Sequence, residues 1–128
     1  MGRILVVEDD PSVGRLLDLT LSIEGHEVDV VGDGAAAMAR LTGPPPHLVV
    51  LDVMLPSLDG IAVLEQLRTT VGWEDVRVLV VSALDGDRDV WRAWTAGADY
   101  HLTKPFELEE LRAVTERLLA QLGTGLSA

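Results

Sequence analysis

Residues 48–60 read LVVLDVMLPSLDG, and this stretch decides the fold. Four consecutive aliphatics, Leu48 to Leu51, show no in–out alternation, the pattern of a strand buried on both faces. The run ends on Asp52. Asp59-Gly60 then opens a helix whose Val63, Leu64 and Leu67 share one stripe. A buried strand, a loop carrying an acid and an amphipathic helix together make one βα unit.

Working outward, the unit recurs. Apolar runs lie at Ile4–Val7, Val28–Val31, Val76–Val81 and, more weakly, Tyr100–Leu102. Between them fall helical stripes, Val13, Leu16, Leu17 and Leu21 in the first helix, and Leu108, Leu111, Leu118, Leu119 and Leu122 in the last. Asp10-Pro11 reads as an N-cap with proline at the first helical position, and Gly25 as that helix's stop. Gly43-Pro44-Pro45-Pro46 breaks the chain before the third strand, and Gly97 closes the fourth helix. Five βα units predict an α/β fold, a doubly wound parallel sheet in three αβα layers. Trp91 and Trp94, three apart in the fourth helix, share a face that reads as core packing, with an exposed partner surface as the alternative.

Composition narrows the function. The 128 residues make one domain, and 48% hydrophobic content with a mean hydropathy of +0.25 excludes disorder. A net charge of −11 argues against gripping nucleic acid or an anionic membrane. The absence of cysteine excludes thiolate chemistry, and His26, His47 and His101 are scattered. No stretch reaches the ~18 apolar residues of a membrane span. Without a signal peptide, the expected location is cytoplasmic. Residues 1–122 read as the domain and 123–128 as a flexible tail or the start of a linker.

In a doubly wound sheet, function gathers beyond the carboxyl ends of the strands. Strand one ends in Glu8-Asp9-Asp10, strand three in Asp52, strand four in Ser82, and strand five runs into Lys104-Pro105. If strands one and three are neighbours, Asp52 stands beside Glu8 and Asp9. Carboxylates crowded at low dielectric repel unless a cation joins them or some stay protonated. With oxygen ligands alone on offer, Mg2+ suits the cluster. Lys104, the only lysine, sits at the same edge. Ser82 offers a hydroxyl, and Asp52 becomes a candidate nucleophile toward phosphate. Asp10 is better read as the helix cap.

The segments ILVVEDDP, LVVLDVMLPSLDG, VLVVSA and GADYHLTKPF, in this order and spacing, resemble the receiver domain of bacterial two-component response regulators. The resemblance runs from Arg3 to Leu122. It implies a flavodoxin-like sheet of order 2-1-3-4-5 and phosphoryl transfer from a sensor histidine kinase to Asp52. It implies Mg2+ held by Asp9, Asp52 and the Met54 backbone carbonyl, with Glu8 acting through water. Lys104 would contact the phosphate, Ser82 would be the switch hydroxyl, and Lys104-Pro105 would be cis. It also implies a possible homodimer through the fourth helix, fifth strand and fifth helix.

The chain departs from the family pattern in two places. The switch aromatic's position holds His101, with Tyr100 one place earlier, so His101 is a candidate substitute. Apolar Met54 and Leu84 stand where polar residues usually orient the hydrolytic water, which predicts slow dephosphorylation. Three rival readings are weaker. Gly32-Asp33-Gly34-Ala35-Ala36-Ala37 fits a dinucleotide fingerprint but follows the second strand. An Asp-x-Asp phosphatase needs an acid at Met54. A receiver-like interaction module that is never phosphorylated leaves the acid, serine and lysine set unexplained.

Overall fold

The computed structural model describes residues 2–53, 59–83 and 87–127. Its strands are β1 (Arg3–Val7), β2 (Glu27–Val31), β3 (Leu48–Leu51), β4 (Arg77–Ser82) and β5 (Tyr100–Thr103). Its helices are α1 (Pro11–Ile23), α2 (Gly34–Arg40), α3 (Gly60–Thr69), α4 (Asp87–Ala96) and α5 (Leu108–Ser127). Strands and helices alternate throughout, and all strand pairs are parallel in the order β2-β1-β3-β4-β5.

Strand alternation divides the core in two. Leu5, Val7, Val49, Leu51, Val78 and Val80 face α2, α3 and α4, where Leu64, Leu67 and Ala93 meet them. Ile4, Val6, Val50, Leu79 and Leu102 face α1 and α5, packing on Leu17, Leu21, Leu111 and Leu118. The central strands are therefore apolar on both sides, as their sequences require.

The punctuation is physical. The Asp10 carboxylate accepts from the N–H groups of Ser12 and Val13, and Pro11 follows it at the helix start. Gly25 and Gly97 adopt φ of 94° and 112°, the left-handed region that glycine enters without a steric penalty.

Several expectations are corrected. β2 is the edge strand and mostly exposed, so Val28–Val31 is not buried on both faces. Leu16 and Leu108 lie outside their helices' buried stripes, which Leu17, Leu21 and Leu111 fill. Trp91 and Trp94 do share a face, but it is the outer one, with exposures of 71% and 43%. Ala93 between them is the buried residue, packed in the core on this side of the sheet. Trp94 stands edge-on to Tyr100 at 6.4 Å instead. The last helix, α5, runs on to Ser127.

Candidate functional site

Each key residue of the pocket hangs one position beyond a strand, on a bond that extends the sheet ladder. The Glu8 N–H donates to the Val31 carbonyl at 3.0 Å, Asp52 N–H to Val7 at 3.0 Å, and Lys104 N–H to Ser82 at 2.8 Å. The parallel sheet thus delivers residues from three distant segments to one edge, with backbones that cannot drift independently.

The side chains converge. One carboxylate oxygen from each of Glu8, Asp9 and Asp52 lies within 4.8 Å of the others. Glu8 and Asp52 are 3% and 5% exposed, while Asp9 faces solvent. The Lys104 ammonium bridges the buried pair, at 2.7 Å from Glu8 Oε1 and 3.1 Å from Asp52 Oδ2. The other Glu8 oxygen accepts from the Asp10 N–H at 3.2 Å. Asp10 itself is committed to capping α1. The acid run thus divides its labour as buried pair member, exposed pocket acid and helix cap.

Electrostatics follow from this geometry. Burial, reinforced by the nearby Asp52 charge, raises Glu8 above its ordinary value despite hydrogen bonds from Lys104 and Asp10. Burial pulls Lys104 down, but its bonds and charge attraction to Glu8 and Asp52 outweigh that and hold it above the usual lysine value. The ammonium therefore stays charged. It offsets only part of the crowded negative charge, and the oxygen-only donor set matches a hard divalent cation.

Ser82, fully buried, ends β4 beside this edge. His101 pairs in register with Val80 on β5, half-buried, and burial lowers it from the ordinary histidine value. Tyr100 and Leu102 pack toward α1 and α5, so alternation sets His101 on the α4 face. The Lys104-Pro105 bond is cis. The Met54 carbonyl and the Met54 and Leu84 side chains lie outside the described residues.

Sequence reading missed one positional constraint. Asp59-Gly60 reads in sequence only as a helix opening, yet a Cβ at Gly60 would stand 2.4 Å from Val53 Cα and 2.5 Å from the Asp52 carbonyl oxygen. Its N–H donates to the Val53 carbonyl at 3.0 Å. Only glycine lets α3 begin this close to the residue carrying the central carboxylate. Aspartate-glycine is a turn signal, but it does not reveal which backbone comes near.

Comparison with known proteins agrees with this geometry. Residues 4–116 match the family described as response regulator receiver domain. The DNA-binding dual master transcriptional regulator RpaA of Synechocystis is 38% identical over 93% of this chain and 49% of its own length. Response regulator MprA of Mycolicibacterium vanbaalenii is 43% identical over 98% of this chain and 55% of its own. The chain thus spans about half the length of these curated relatives. Among solved structures, the BeF3-activated DrrB receiver domain covers 94% of this chain and 98% of its own at 32% identity and a TM-score of 0.85. A CheY-like protein of Methanospirillum hungatei has 22% identity, a TM-score of 0.91 and 98% coverage of both chains, which speaks to the fold alone.

Proposed function

The chain belongs to the response regulator receiver domain family, and from that premise we propose that Asp52 accepts a phosphoryl group from a phosphohistidine of a sensor kinase. It is the receiver domain of a two-component response regulator. The observation that carries the proposal is the buried Asp52 carboxylate held by the Lys104 ammonium at 3.1 Å. That contact fixes one Asp52 oxygen and puts positive charge where a phosphoryl oxygen would arrive.

Receivers of this family bind Mg2+ at an acidic pocket, and here the pocket is Glu8, Asp9 and Asp52. Asp9, Asp52 and the Met54 carbonyl would hold the ion, with Glu8 acting through water. When bound, Mg2+ supplies charge neutralisation at the phosphoryl oxygens. In the transfer, an Asp52 oxygen attacks phosphorus, a P–O bond forms, the P–N bond to the donor imidazole breaks, and the imidazole departs with a proton. Lys104 moves from pairing two carboxylates to pairing a phosphoryl oxygen. The Ser82 hydroxyl donates to another, which biases the domain toward a second conformation. His101 takes the place of the usual switch aromatic, and an unaltered phosphorylation-dependent shift in His101→Ala would remove it from that role.

Residues 1–122 form the receiver unit and 123–128 lead out of it. The partners are a sensor histidine kinase and a second copy through α4, β5 and α5. The curated relatives are about twice this length, so either an output segment of a longer regulator or direct protein contact would carry the signal onward. Among the described residues no helix is long and apolar enough to cross a membrane. A cytoplasmic setting fits this reading.

The test uses acetyl phosphate with Mg2+ and intact-mass measurement. We expect one phosphoryl group on the wild type and none on Asp52→Asn. An unmodified wild type would instead favour an interaction module that is never phosphorylated. The apolar side chains of Met54 and Leu84 have no group that can hydrogen-bond a hydrolytic water, so the label should persist. Met54→Asn should hasten its loss about tenfold or more.

A further inference from the structure

Two histidines at the sheet edge opposite the acidic pocket hold the entrance of β1. His26 lies in the turn between α1 and β2, and His47 directly precedes β3. The Gly2 N–H donates to His26 Nδ1 at 3.0 Å, and the Arg3 N–H donates to His47 Nδ1 at 3.0 Å. The flanking strands answer through their backbones. Glu27 N–H donates to the Gly2 carbonyl and His47 N–H to the Arg3 carbonyl, both at 2.9 Å. Successive residues of β1 are therefore gripped from opposite sides, each by one imidazole and one peptide group.

We propose that His26 and His47 form an acid-released clamp on the N-terminal end of β1. A ring nitrogen that accepts a hydrogen bond carries no proton, and a protonated Nδ1 would set donor against donor at Gly2 or Arg3. Protonation of either ring cancels one of the four bonds and opposes its N–H to another. The fit leaves little slack on one side. Gly2 is buried, and a Cβ there would meet Leu119 of α5 at 3.2 Å and His47 Nδ1 at 3.4 Å.

At His26 burial fixes the sign. Around His26 stand Glu24 of its own turn, Glu116 of α5, Glu27 of β2 and Arg3 of β1. The carboxylates of Glu24 and Glu116 favour an imidazolium. Burial, the strongest influence, opposes it, and His26 lies below its ordinary value of 6.5. The charged residues on the strands bonded to His47 are Arg3 and Arg77, whose N–H reaches the His47 carbonyl at 3.2 Å. His26, held neutral when folded, takes up its proton only on opening. Stability is then full above about pH 6.5 and falls as pH drops below it. Release would also loosen one wall of a cleft of about 660 Å3 lined by Arg3, Ile4, His26, Val28, Arg40 and Trp73.

The test is amide hydrogen exchange by NMR on the whole chain at pH 7.5 and 5.5, corrected for intrinsic rates. Protection of the Glu27 and His47 amides should fall tenfold or more at pH 5.5, while the Val50 amide in the sheet centre changes less. In the His26→Asn, His47→Asn variant the amide oxygen keeps the acceptor without titrating, and protection should stay level. Level protection in the wild type, or an equal fall in the variant, overturns the clamp. If the variant does not fold, wild-type titration decides. The Gly2 and Arg3 amide resonances must shift with the midpoints of their partner imidazoles, and unrelated midpoints reject the proposal.

Discussion

Lys104 joins residues 96 and 52 positions away in one contact set. Its uniqueness in the chain made it conspicuous, and the acids at the other strand ends were equally legible, because buried strands must stop where charge begins. What the sequence withheld was the division of contacts, with Glu8 taking the shorter bond and Asp52 the longer. Pair geometry depends on how far each strand end projects, and no periodicity encodes that. Removing the ammonium leaves two buried carboxylates facing each other. Lys104→Met should lower stability in metal-free buffer by about 2–3 kcal/mol, at or below the lower end of the cost of breaking a buried pair because the ammonium is partly solvated. Urea denaturation at pH 7.5 measures it, and a loss under about 0.5 kcal/mol would mean that the bridge holds little of the pocket together.

Among the elements, β1, β3 and β4 were readable because both their faces are buried, so hydrophobicity alone marks them. β2 follows different rules at the sheet edge, and its exposure appears only once strand order is known. The tryptophans of α4 show the limit of helical spacing. Periodicity identifies a shared face but not the direction in which it points, and small Ala93 claimed the sheet. Converting both Trp91 and Trp94 to Gln should therefore cost about 1 kcal/mol or less in thermal or urea denaturation, where two buried tryptophans would cost several times more. The start of α3 should be far less tolerant. Gly60→Ala forces backbone apart at 2.4 Å from Val53 Cα, and about 2–3 kcal/mol of stability should be lost. Because the displaced segment carries Asp52, phosphorylation by acetyl phosphate should slow by more than Asp59→Asn slows it, since that variant keeps a capping oxygen.

Across the whole molecule, the two edges of the sheet carry opposite duties. The carboxyl edge concentrates negative charge around one lysine, while at the amino edge the Gly2 and Arg3 N–H groups donate to the His26 and His47 rings. Such a domain is held back at its charged end, and any cation bound only by the folded state should stabilise it as a unit. At Mg2+ ten times above its dissociation constant the gain is about 1.4 kcal/mol, or roughly 5 °C in Tm for a domain of this size. Asp9→Asn removes a solvent-facing acid with little strain, so it should fold normally yet lose most of that increment. Lys104→Met should respond more strongly than wild type, because Mg2+ then meets the carboxylates without a competing ammonium. Scanning calorimetry of the three proteins with and without Mg2+ distinguishes these effects. Equal increments in all three would mean that the ion acts by screening the net charge of −11 rather than by entering the pocket.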